Sequence, residues 1–86
     1  MPPTIKPGLT VQDVGEESLV LDLKSGQIHQ LNTTAAWILS QCNGENSAEA
    51  IASEFAEMFS LDDETALRDV NTTIDQLHKI DIVAID

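Results

Sequence analysis

Eighty-six residues carry four Lys and Arg against fifteen Asp and Glu, a formal net charge of −11, and only three aromatic side chains. This length excludes two domains, because a domain needs about 50 residues or more and one this short buries only about 60–65% of its unfolded surface. The charge argues against any surface that must neutralise phosphates, since nucleic-acid affinity comes largely from Lys and Arg displacing counterions. Nucleic acid and anionic membrane are therefore poor partners.

Cys42 stands alone and cannot close an internal disulfide, whereas a secreted domain of this size usually carries several. The stretch Met1 to Gly8 has no apolar signal-peptide region, and no run reaches the roughly 18–20 apolar residues of a membrane span. The expected location is the cytoplasm. Pro2, Pro3, Pro7 and Gly8 resist both helix and internal strand, so residues 1–8 read as a flexible N-terminal tail and 9–86 as a single domain.

From Leu9 the period is two. Leu9, Val11 and Val14 with their polar neighbours form one strand, Gly15-Glu16-Glu17 punctuates, and Ser18 to Leu23 forms a second. Gly26 sits where a tight hairpin needs positive φ, and Ile28 to Leu31 makes a short third strand. The pattern then becomes helical. Asn32, Thr33 and Thr34 offer capping oxygens to a first helix over about Thr34 to Cys42, with Ala35, Ile38, Leu39 and Cys42 on one face and Asn43-Gly44 as a left-handed stop. Ser47 caps a second helix with Ile51, Ala52, Phe55, Met58 and Phe59 on its apolar face. Asp62 or Asp63 opens a third, whose core stripe is Leu67, Val70, Ile74, Leu77 and Ile80, closed by Asp81. Ile82 to Ile85 reads as a final strand or an extended tail packed on the domain.

The resulting fold class is α+β, winged helix-turn-helix-like: a three-stranded antiparallel meander, three helices and a short C-terminal strand. Its third helix carries Arg68 and Lys79 against Asp62, Asp63, Glu64, Asp69, Asp75 and Asp81, a surface that repels a phosphate backbone. Cys42 on an inner helix face reads as a core thiol, and His29 and His78, far apart and without a further Cys or His, read as surface residues rather than metal ligands. No Gly-rich phosphate loop, CxxC or HExxH occurs, so the sequence contains no recognisable catalytic, metal or cofactor site. The meander does suggest a function. A third strand at a sheet edge offers unpaired N–H and C=O groups to an extended peptide.

The segment Ser18-Leu19-Val20-Leu21-Asp22-Leu23-Lys24-Ser25-Gly26, then Ile28-His29-Gln30-Leu31-Asn32 and Ala36-Trp37-Ile38-Leu39, resembles the PqqD family over about Leu9 to Ile85. The resemblance implies a non-catalytic adaptor, the recognition element of pathways for ribosomally made, modified peptides. Such an adaptor binds the leader of a precursor peptide by strand addition and presents it to a modifying enzyme, either a radical S-adenosylmethionine protein or a leader peptidase of the lasso-peptide type. It implies that Gln27, Ile28, His29, Gln30 and Leu31 pair with the leader, and that Asp69, Val70, Thr73, Ile74 and Gln76 line the groove on the third helix. Trp37 reads as a structural anchor of the first helix on the sheet. The chain departs from the family pattern at Ile28 and His29, where an aromatic usually precedes the Leu-Asn pair, and at Asp81, where glycine is common. Two other readings compete: a winged-helix-like module binding a folded protein, and an acyl-carrier-like protein modified at Ser60. The expected oligomeric state is a monomer or a domain-swapped dimer.

Overall fold

The computed structural model describes residues 2–85. Three strands form the meander: β2 (Leu9–Val14), β3 (Glu17–Asp22) and β4 (Ile28–Leu31), all antiparallel, in the order β2-β3-β4. Before them lies β1 (Thr4–Ile5), and after them come α1 (Thr33–Ser40), α2 (Ala48–Phe59), α3 (Asp63–Lys79) and β5 (Val83–Ala84). The β2–β3 hairpin turns on Gly15-Glu16, with Gly15 at φ 67, the positive value a two-residue turn with glycine in its first position requires.

Residues 1–8, read as a tail, are corrected by the structure. Thr4 and Ile5 pair with Ala84 and Val83 in a separate two-stranded sheet, Pro3 is buried, and Lys6 donates its N–H to the Ile82 carbonyl at 2.9 Å. Proline lacks only its own N–H, so the residues between two prolines remain free to pair once another strand arrives from the far end of the chain. The reading of Ile82 to Ile85 as a final strand holds for Val83 and Ala84. Asp81 at φ 66 turns the chain from α3 into β5, and its carboxylate accepts from Lys6 Nζ at 2.7 Å, tying the two chain ends together.

The core lies between the inner face of the sheet and the three helices. Val20 and Leu31 come from the sheet, Ile38 and Leu39 from α1, Ile51 and Phe55 from α2, and Val70, Ile74 and Leu77 from α3. Ala52, Ala56 and Ala66 are also buried, and these small side chains let α2 and α3 approach closely. That approach moves Met58 and Leu67 to the flanks. Both were expected in the core, and both are exposed, Met58 by 63%. Trp37 of α1 packs on α2, its ring centroid 5.6 Å from Phe55 and 6.0 Å from Phe59. Helix α1 ends at Gln41 in right-handed geometry, so Asn43-Gly44 belongs to the following loop, where Gly44 at φ 82 lies against Thr4 of β1.

Candidate functional site: an open sheet edge beside a helical cavity

Strand β4 is an edge of the sheet, and its backbone polarity follows from one hydrogen bond. Asp22 donates its N–H to the Gln27 carbonyl at 2.9 Å, which makes 22 and 27 a hydrogen-bonded pair. Antiparallel ladders alternate, and the register pairs Leu21 with Ile28, Val20 with His29, Leu19 with Gln30 and Ser18 with Leu31. Ile28 and Gln30 therefore stand in non-hydrogen-bonded pairs, with N–H and C=O directed away from β3 into open space. These two residues carry the open backbone groups of the edge.

Both ends of β4 are held. At its start, the Asp22 carboxylate accepts from the N–H groups of Lys24 (3.0 Å) and Ser25 (3.3 Å), and Gly26 takes φ 76. The Lys24 N–H is the main cause holding the Asp22 carboxyl below its ordinary pKa, with Ser25 adding to it. At its end, Asn32 caps α1 by accepting from the Ala35 N–H at 2.9 Å, and Thr33 donates its hydroxyl to the Glu16 carbonyl at 2.6 Å. An edge fixed at both ends meets an incoming strand without an ordering cost of its own.

Side chains divide by the pleat. Leu31 is buried and His29 half-buried on the inner face, so His29 is not the surface residue its polarity suggested. Ile28 is 64% exposed on the outer face, where the Gln30 amide donates to Glu17 Oε2 at 2.8 Å. Gln27 lies just before the strand and contributes its carbonyl to the turn.

A cavity of about 340 Å³ opens between the start of α1, the end of α2 and α3. Thr34, Ile38, Phe55, Phe59, Leu61, Asp69, Thr72 and Thr73 line it. Its nearest lining residue in sequence to β4 is Thr34, three positions after Leu31, and no residue of β4 itself lines it. Of the α3 residues singled out from sequence, Asp69 and Thr73 line this cavity and Gln76 is exposed. Val70 and Ile74 are buried at 0% and 5% exposure and do not line this cavity; Ile74 lines a separate one with Pro2, Pro3 and Ala48. Thr72 was missed, yet the spacing 69, 72, 73, 76 is the polar stripe adjoining the core stripe, and completing it would have found that residue. Phe59 and Leu61 were missed because their exposure depends on where α3 crosses α2.

Cys42 is buried, its thiol donates to the Ile38 carbonyl at 3.3 Å, and burial pushes its pKa up to about 11, which removes nucleophilic character near neutrality. His78 Nδ1 lies 3.1 Å from the Val83 carbonyl and braces β5. Among the described residues no three His, Cys, Asp or Glu are grouped to hold a metal ion, and no helix is long and apolar enough to cross a membrane. Ser60 forms the left-handed cap of α2 at φ 55, in a fold whose sheet sets it apart from the helical bundle of a carrier protein.

Comparison with known proteins agrees with this architecture. Residues 17–83 match the family model described as coenzyme PQQ synthesis protein D (PqqD). The chain belongs to the PqqD family. A search of curated proteins found no significant match by sequence. Among solved structures, the PqqD-family chain superposes on one described as TbiB1 in complex with the TbiA(beta) leader peptide, with a TM-score of 0.83, 20% identity, and 96% of this chain and 99% of that chain covered. It superposes on another, described as lasso peptide synthetase B1 complexed with the leader peptide, with a TM-score of 0.86, 22% identity, and 99% and 100% covered. At these identities the likeness establishes a shared fold.

Proposed function

We propose that this PqqD-family protein is a non-catalytic adaptor that binds the leader of a ribosomally made precursor peptide and presents it to a modifying enzyme. The observation that carries the reading is the β4 edge: a strand with two outward-facing residues, Ile28 and Gln30, fixed at both ends and followed in the chain by α1, whose Thr34 and Ile38 line a cavity shared with α3. Main-chain pairing with such an edge supplies affinity, and a neighbouring cavity selects side chains. The two solved structures described above are complexes with leader peptides, which supports the same use here.

The mechanism is concentration by tethering. Holding one end of the substrate raises its effective concentration at the enzyme without altering the chemistry performed there. Pairing residues are Ile28 and Gln30 through the backbone, flanked by Gln27, His29 and Leu31, while Asp69, Thr73 and Gln76 meet leader side chains from α3. The net charge of −11 steers basic leaders, so association slows steeply with added salt.

An isotope-labelled NMR titration with the leader of the precursor encoded beside the gene tests the reading. The amides of Ile28 and Gln30 and those of Asp69 to Thr73 shift and saturate. Unmoved amides at Ile28 and Gln30 with a leader that binds elsewhere would overturn the assignment.

A further inference from the structure

We propose that the opposite edge of the sheet, β2, is a second strand-addition site, and that it takes an extended segment of the modifying enzyme whose inward face carries a Lys or Arg for Asp13 and apolar side chains for Val11 and Leu9. The existence of the site follows from geometry alone, while naming the enzyme as its source rests on the adaptor reading above.

Backbone polarity on β2 is set as it is on β4. The Leu23 N–H donates to the Gly8 carbonyl at 3.4 Å, and the two-residue turn closes on Val14 and Glu17. Alternation then leaves Leu9, Val11 and Asp13 in non-hydrogen-bonded pairs, their N–H and C=O groups directed outward. These three residues are opposite Asp22, Val20 and Ser18, so their side chains lie on the inner face of the sheet. There a cavity of about 440 Å³ opens beneath the edge, lined by Ile5, Val11, Asp13, Ser18, Leu39 and Cys42 among others. It shares no lining residue with the cavity beside β4. Val11 is 44% exposed at its mouth. On β4 the open backbone and the cavity belong to different elements; on β2 Val11 and Asp13 supply both.

Charge identifies the occupant. Asp13 accepts the Ser18 hydroxyl at 2.7 Å at one end of this cavity, and Glu16 and Glu17 stand at the adjacent turn, while the stretch from Leu9 to Asp22 contains no Lys or Arg. An inward-facing carboxylate on an edge strand rejects apolar and acidic strands and accepts one that brings a cation to it. A second copy is disfavoured because it sets one body of charge −11 against another. The leader is assigned to β4. The remaining partner an adaptor requires is the enzyme.

The test uses the isotope-labelled full chain and a synthetic capped peptide in which two Val and one Lys share one face of the strand and Thr occupies the other. The amides of Leu9, Val11 and Asp13 shift and saturate while those of Ile28 and Gln30 stay in place, and a peptide with Glu in place of Lys binds at least about tenfold more weakly. Val11→Pro removes an outward N–H that the ladder does not use, and abolishes this binding with leader binding retained. Should Val11→Pro lose its dispersed spectrum, Asp13→Lys serves instead: it rejects the basic peptide and admits the acidic one. With the modifying enzyme encoded beside the gene, Asp13→Lys raises the adaptor concentration needed for half-maximal modification about tenfold at unchanged leader affinity. Absent shifts on β2, equal binding of both peptides, or unchanged modification would overturn the proposal. Self-association removed by Val11→Pro would overturn it in favour of a second copy, and leader-induced shifts on β2 in favour of the leader. Failure of the adaptor reading itself is separately visible, because it is read at Ile28 and Gln30.

Discussion

The helical half and the sheet half of this molecule divide its work unequally. Helices α2 and α3 bury four residues each, Ile51, Ala52, Phe55 and Ala56 against Ala66, Val70, Ile74 and Leu77, and α2 joins α1 through the Trp37–Phe55–Phe59 cluster. Among the described residues the three-stranded sheet buries only Ser18, Val20 and Leu31, and β2 buries none. A sheet attached by one face and a few side chains keeps both edges free. The contrast teaches that stability resides mainly in the helices, which leaves the sheet available for pairing with other chains.

Truncation in the helical half has the largest expected effect. Phe55→Ala removes a 98%-enclosed ring at the aromatic cluster and costs about 3–5 kcal/mol, read as a lowered urea midpoint. If the loss is under about 1 kcal/mol, the helices do not carry the fold and the comparison collapses. On the sheet the effect falls on binding instead. Gln30→Pro deletes an outward N–H and weakens leader binding at least about tenfold, or 1.4 kcal/mol, with a thermal midpoint close to that of the parent. Gln30→Ala, which loses only the side-chain bond to Glu17, is its control and binds as the parent does.

At the junction of the halves, Asn32→Ala removes the cap of α1 and costs about 1 kcal/mol, measurable in the same urea titration. Acid sharpens the contrast further. The Asp22 carboxyl has a lowered pKa in the folded state, so its contribution is present above the unfolded carboxylate range and is lost as pH falls through the folded value. The protection of the Lys24 and Ser25 amides, relative to their intrinsic exchange rates, accordingly falls in acid before that of α3; simultaneous loss would contradict the division. Lys6→Ala gives the smallest change. Its partner Asp81 is highly exposed, and such pairs contribute about 0–1 kcal/mol, so the melting curve barely moves.

Much of this was legible in the residues because it is local. Gly15 and Gly26 announce turns that need positive φ, Asn32 and Ser47 accept from the N–H groups three residues on, and the stripes of α2 and α3 repeat at helical spacing. The elements that escaped are long-range. Strand β1 exists because residues about 80 positions away return to it, and nothing within Thr4-Ile5 signals that partner. Met58 and Leu67 satisfy a helical stripe and still face outward, since the closeness of two helices at their alanines decides which flank is covered.

The candidate site divides along the same line. From its own sequence the third strand is identifiable as short and terminal in a meander, and Asp69, Thr73 and Gln76 are identifiable as one face of a helix. Which backbone groups of β4 point outward was decided by the register with β3, and Val70 and Ile74 were withdrawn from the surface by the crossing of α3 over α2. Local patterns established the elements from β2 onward, their order, the negative charge and the lack of a recognisable catalytic motif, because propensity, turn geometry and charge act over a few residues. Only the tertiary structure decided the joined chain ends, the seat of Trp37 and the two cavities beside the two edges. Those features depend on distances between groups far apart in the chain, which no local pattern encodes.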